Sequence, residues 1–282
     1  MYIKIKSLLP ERLRKILKVP YEQWSLRNFN NPTKVTVINA GQRYELQLDP
    51  ANGAVDEYIY IHNYWEEHVA MVIKDNLSAG GVFIDVGANI GAFTFMAATI
   101  VGPAGQVHAF EPLPHLCAQM QKSKESNEAL NVHIHNQGCA ADSGVITLRT
   151  NPKNIGGSSA INGTEADTAV DVDVVKLDDA VAEINRIDVI KIDVEGHEYE
   201  VLKGAQELIQ KHQPVIVLEF SPHLYKLMAG TVGTDLLMFV KNNGYEIYDI
   251  DHACALNGVS QYIDWIGDRQ TNLLCTISQK EE

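Results

Sequence analysis

The chain has 282 residues, 45% of them hydrophobic, enough for one large domain with its own core. Its formal charge of −13 argues against nucleic acid as a partner, because phosphate binding needs a cationic face. No apolar run reaches the roughly 18–20 residues of a membrane span. Cys117, Cys139, Cys254 and Cys275 lie far apart with no CxxC pair, which predicts buried free thiols in a reducing, cytoplasmic setting.

Residues 1–33 read as a basic arm. Lys4, Lys6, Arg12, Arg14, Lys15, Lys18 and Arg27 stand against only Glu11 and Glu22, so the rest of the chain carries all of the net negative charge. No apolar stretch behind Lys4 and Lys6 suggests a signal peptide. Leu9, Leu13, Ile16 and Leu17 share one face of a short helix, and Pro20 breaks the pattern. Such a helix either packs on the body or rests on a membrane surface through its basic flank.

Residues 34–80 read as a small strand/helix module. KVTVIN and RYELQLD are two strands around Gly41, and 56–79 is a helix carrying Trp65, Glu66 and Glu67. From 81 to 282 the rhythm changes to alternating strands and helices. VFIDVG, QVHAFEP, NVHIHN, DVIKID, PVIVLEF and YEIYDI are strands, mostly separated by helical stretches, and NLLCTIS closes the series. VITLRT and VDVDVVKLDD form a hairpin-like insert around a loop, within which Gly156-Gly157-Ser158-Ser159 reads as a flap or a plain connector. The alternation predicts an α/β fold, a doubly wound and mostly parallel sheet with a small N-terminal extension.

Ligands of such sheets bind outside the carboxyl ends of strands. The stretch Phe83 to Gly91, FIDVGANIG, is a buried strand, a glycine loop and a helix start. Gly87 would let backbone approach a ligand, and Gly91 would let the helix approach the strand. A dinucleotide fingerprint needs a middle glycine beside the pyrophosphate, where this chain has Asn89. S-adenosylmethionine has no pyrophosphate and does not need it. Its ammonium group could be attracted by Asp85. Glu111, ending the next strand in HAFEP, is placed to receive two ribose hydroxyls.

FIDVGANIGAFT, HAFEP, DVIKIDVEGHE and PVIVLEF, in this order, resemble the FkbM family of S-adenosylmethionine-dependent methyltransferases across roughly residues 56–250. The resemblance implies a Rossmann-like class I methyltransferase domain. It implies S-adenosyl-L-methionine as cofactor and O-methylation of a hydroxyl on a small molecule, sugar, glycan, natural product or lipid-linked acceptor. It matches Asp85, Gly87 and Gly91 to the cofactor loop, with Asn89 between the two glycines as a further candidate cofactor-binding residue, and Glu111 to the ribose carboxylate. It also sets Asp142, in CAADSG, where the adenine amine would be bound.

Asp193, Glu195, His197 and Glu219 gather titratable groups at one sheet edge. Asp193, His197 and Glu219 are the candidate catalytic residues. His197 has the intrinsic pKa of a general base, while Asp193 could be the base, orient His197 or bind the acceptor. No spacing dictates a metal, although Asp193 and Glu219 with one further carboxylate could hold Mg²⁺. Two other readings stay open: a nicotinamide-dependent oxidoreductase, disfavoured by Asn89, and a methyltransferase-like interaction module without turnover.

Overall fold

The computed structural model describes residues 26–151, 154–159, 168–226 and 233–277. The expected helix of the basic arm lies outside them. Strands β1 (Thr33–Asn39) and β2 (Gln42–Leu48) form an antiparallel hairpin. A 3-10 turn at Pro50–Asn52 leads into α1 (Ala54–His62) and α2 (Glu67–Asn76). The single helix expected over 56–79 is thus two. Asn63 (φ 62°) and Glu66 (φ 36°) are left-handed, and a right-handed helix cannot run through them.

The alternating part follows as β3 (Val82–Val86), α3 (Ala92–Val101), β4 (Gln106–Phe110), α4 (Pro114–Ser126) and β5 (Val132–His135). Next come β6 (Gly138–Cys139), β7 (Gly144–Asn151), β8 (Asn154–Ser159), β9 (Thr168–Val175) and α5 (Leu177–Ala180). The chain continues through β10 (Val189–Ile192), α6 (Glu198–Gly204), α7 (Gln206–His212), β11 (Val215–Phe220), α8 (Pro222–Tyr225) and α9 (Gly233–Asn242). It closes with β12 (Tyr245–Asp249), β13 (Cys254–Ala255), α10 (Val259–Ile266) and β14 (Thr271–Ile277).

The main sheet runs β13-β12-β14-β11-β10-β3-β4-β5. From β11 to β5 every pairing is parallel, and β14 inserts antiparallel between β11 and β12. The expected doubly wound, mostly parallel sheet is therefore present. β3 and β10 are buried at every position, which requires cover on both faces and accounts for their unbroken apolar character. Between β3 and β10 the order reverses: β4 and β5 lie to one side, β11 to the other. A crevice forms at such a point because the crossovers on its two sides go to opposite faces.

Leu46, Leu48, Ile59 and Ile73, from the N-terminal elements, share one core with Phe95, Met96 and Met120. Side chains from the end of α4 also close the edge of β2. The N–H of Glu45 donates to Asn127 Oδ1 (2.8 Å) and that of Gln47 to Ser123 Oγ (2.9 Å), removing a sheet edge that would otherwise seek a partner.

The insert is a second sheet, β6-β9-β7-β8. Gly156–Ser159, expected as loop or flap, belongs to β8 and pairs with β7. Pairing supplies backbone hydrogen bonds to residues whose own strand preference is poor. Among the described residues no helix is long and apolar enough to cross a membrane. All four cysteines are free; Cys117, Cys139 and Cys275 are buried as expected, whereas Cys254 is only partly so.

Candidate active site

A cavity of about 340 Å³ opens outside the carboxyl ends of β3, β4, β10 and β11. One wall is the turn after β3. Gly87 has φ 79°, and a Cβ there would sit 1.8 Å from the carbonyl oxygen of Asp193. The glycine is therefore required by the neighbouring strand end, whereas the sequence suggested a ligand. Gly91 (φ 86°) faces the Phe95 ring and Met120, so it makes room for side chains of α3 and α4 and not for the strand. Asn89 (φ 53°) occupies a left-handed position that asparagine tolerates, and its N–H donates to Glu111 Oε2 at 2.9 Å.

Glu111 joins this turn to β4. Its Oε1 accepts from the Leu113 N–H (3.0 Å), and it lines the cavity. Each carboxylate oxygen keeps a second lone pair for a ligand hydroxyl. Burial pushes its carboxyl up to about 7, against the backbone N–H groups of Leu113 and Asn89.

Two expected cofactor residues lie elsewhere. Asp85 does not line the cavity: it sits beneath the turn, 1% exposed. Its Oδ2 accepts from Thr94 Oγ1 (2.6 Å), and its Oδ1 has no hydrogen bond and lies 3.9 Å from Lys191 Nζ. A strand-end aspartate can face a ligand or the layer below, and a hydroxyl at residue 94 draws this one inward. Asp142 is exposed between β6 and β7 and is not on the wall, because the second sheet begins there.

Asp193, His197 and Glu219, by contrast, all line the cavity, together with Glu195. The turn that carries them is fixed by Glu198, a fully buried side chain. Its Oε1 accepts from the N–H of Val194 (3.1 Å) and of Gly196 (3.0 Å), and its Oε2 from the Tyr225 hydroxyl (2.8 Å). Glu219 accepts from Gln270 and from Ser221 Oγ (3.3 Å). Asp193, Glu195 and Glu219 each bring a carboxylate oxygen within 4.8 Å of the others, an oxygen-only grouping that would admit a hard cation. Burial and the neighbouring carboxylates push Glu195 up to about 8 and Glu219 above the ordinary range. Burial lowers the His197 imidazole, and its Nδ1 is buried without a hydrogen-bond partner, so the ring is neutral near pH 7.

Lys191 and Glu66 were not picked out by the sequence as site residues. Lys191 is 4% exposed, and its Nζ lies 3.1 Å from Asp193 Oδ2 and 5.1 Å from the centre of the Phe93 ring. Burial alone would lower its pKa; the carboxylates of Asp193, Asp85 and Glu66 overcome this and raise it. Glu66 reaches the cavity from the left-handed break between α1 and α2, beside Trp65. Burial, then the Asp193 charge, pushes it to about 7, with Lys191 opposing. A lysine inside an otherwise apolar strand was the available signal for Lys191; nothing local marks Glu66.

The model of the methyltransferase FkbM domain matches residues 85–247. The chain belongs to the FkbM methyltransferase family. The match spans β3 to β12, and so includes both the turn at Gly87 and the IDVEGHE segment. Similar proteins include the hexuronic acid methyltransferase AglP of Haloferax volcanii, 29% identical over 54% of this chain and 61% of its own length. Methyltransferase sdnD of Sordaria araneosa is 30% identical over 47% of this chain and 63% of its own. The chain spans about three fifths of the length of the curated relatives it matches. Among solved structures, methyltransferase FkbM from Methylobacillus flagellatus KT aligns with a TM-score of 0.43 at 18% identity, over 78% of this chain and 52% of that one.

Proposed function

We propose that the protein is an S-adenosylmethionine-dependent O-methyltransferase acting on a hydroxyl of a sugar, glycan or natural product. The observation that carries this reading is the two-sided cavity. Glu111 and the Gly87–Asn89 turn form one side, and Asp193, His197 and Glu219 the other. The buried Glu111 carboxylate, steadied by two backbone N–H groups and facing the cavity, suits the paired hydroxyls of a ribose. The oxidoreductase alternative is not favoured by the family match. The sugar part leans on the relative named as a hexuronic acid methyltransferase.

The cofactor, when bound, supplies a methyl group already activated by its sulfonium, so positioning does much of the catalytic work. Glu111 holds the ribose, and the turn at Gly87 shapes the floor. On the facing wall, the neutral imidazole of His197 can take the acceptor's proton, and Asp193, anchored by Lys191, can orient that hydroxyl. Glu219 and Gln270 offer further polar contacts to the acceptor.

The test is transfer of labelled methyl groups to a panel of sugar and natural-product hydroxyls by the protein and by its Asp193→Asn and His197→Ala variants. Each substitution should slow transfer by about 10²- to 10⁴-fold, the range of general acid–base catalysis, and change cofactor affinity little. Near-full rates in both would make this wall structural.

A further inference from the structure

Three imidazoles that do not line the cavity gather on the outer strands of the main sheet. Ile84, His108 and His133 stand in register across β3, β4 and β5, and beside them Val86, Phe110 and His135, so all six share one face. On β3 that face is fully buried; farther out, His108 and His135 are half-buried and His133 is exposed. His108 Nδ1 lies 3.2 Å from His135 Nε2, and the planes of these two rings differ by 17°. His133 stacks on the His108 ring at 4.7 Å between centres, and Phe110 on the His135 ring at 4.3 Å. His108 Nε2 is 3.2 Å from Gln106 Oε1, an atom that can only accept, so the ring carries its hydrogen on Nε2 and a lone pair on Nδ1. Burial and then the neighbouring histidines push His108 down to about 4, and burial lowers His135 as well, so both rings are neutral near pH 7.

We propose that His108 Nδ1 and His135 Nε2 form a binding site for one divalent transition ion of the zinc, nickel or copper class, separate from the site of methyl transfer. Neutral imidazole is a ligand that suits these ions, whereas the oxygen-only grouping at Asp193 suits harder ones. Two nitrogens held at about 2.0–2.1 Å in a tetrahedral shell stand roughly 3.3–3.4 Å apart, close to the separation already present. The ion takes the place of the hydrogen that His135 Nε2 shares with His108. The His135 ring passes to its other neutral tautomer, with the hydrogen on Nδ1, and turns slightly in its plane. The Gln106 carbonyl keeps His108 in the tautomer a ligand needs, and stacking on His133 and Phe110 steadies the two ring planes. Water completes the shell. The ion ties β4 to the edge strand β5, where the Glu111 N–H also donates to the His135 carbonyl (3.0 Å).

Calorimetry with Zn²⁺ tests this on the full chain, first stripped of metal, and on its His108→Ala and His135→Ala variants, with circular dichroism to check their fold. The unmodified protein should bind Zn²⁺ with a dissociation constant of about 10–100 μM, as an open site with two protein ligands would. Each substitution should weaken that binding by at least about 10-fold. One equivalent of Cu²⁺ on the unmodified chain gives a readout that needs no variant: its electron paramagnetic resonance spectrum should show coupling to imidazole nitrogen. No Zn²⁺ binding, an affinity unchanged in either folded variant, or a copper spectrum of oxygen ligation alone overturns the inference.

Discussion

At Gly87 two demands meet on one residue: a left-handed φ and a backbone contact with the end of β10. Gly87→Ala must move one strand end or the other, since a carbonyl oxygen cannot yield as a flexible side chain can. We expect a loss of roughly 3 kcal/mol or more in stability, from strain plus the backbone clash, measured by urea denaturation. A loss under about 1 kcal/mol would mean that the turn and β10 are not packed as described. The residues legible in the sequence were those whose position follows from chain order alone. Glu111, Asp193 and Glu219 fall at or just past strand ends, and strand ends of a parallel sheet face the crevice. Asp85 satisfied the same rule and was misplaced, because period-2 alternation sends one strand-end residue into the layer below. Thr94, which holds it there, carries no signal of that role.

The element that the sequence described least well is the connection from α1 to α2. Its two left-handed residues turn a continuous helical pattern into a corner and deliver Trp65 and Glu66 to a site otherwise built from the β3–β11 region. Helical periodicity cannot show a break made by single residues with positive φ. The second sheet poses the reverse case, where Gly156–Ser159 lack strand propensity and acquire strand geometry from β7. The N-terminal hairpin depends on α4 in a way that can be measured. Asn127 accepts from the Glu45 N–H and donates to the Glu45 carbonyl (2.7 Å), completing the edge of β2. Asn127→Ala should destabilise the protein by about 1–3 kcal/mol, the cost of leaving partly buried backbone groups unpaired. Hydrogen exchange at the Glu45 amide should quicken. Unchanged exchange there would show that the hairpin edge is held by other contacts.

Over the whole molecule, burial of carboxylates near the cavity ties stability to pH. Glu66 and Glu111 are pushed up to about 7 and Glu195 to about 8. Between the ordinary carboxylate range and these values the folded state holds more protons than the unfolded one. Stability therefore falls as pH rises through that interval. Partly buried histidines such as His108, lowered to about 4, act oppositely, but only below about pH 6.5, where an unfolded histidine gains its proton. In the window from pH 6.5 to 8.5 the carboxylates decide, so the melting temperature of the unliganded protein should decline steadily across it. A rising melting temperature would contradict the burial of these groups.

The account as a whole stands on Glu111 and the Gly87–Asn89 turn forming a cofactor seat, and calorimetric titration of S-adenosylmethionine into the protein and its Glu111→Ala variant addresses it most directly. A micromolar dissociation constant, on the order of −7 to −8 kcal/mol, is predicted for the unmodified chain. Loss of the charged acceptor should weaken it by about 1.5–3 kcal/mol. No heat of binding from folded protein, or an affinity unchanged by Glu111→Ala, would contradict the assignment of this cavity.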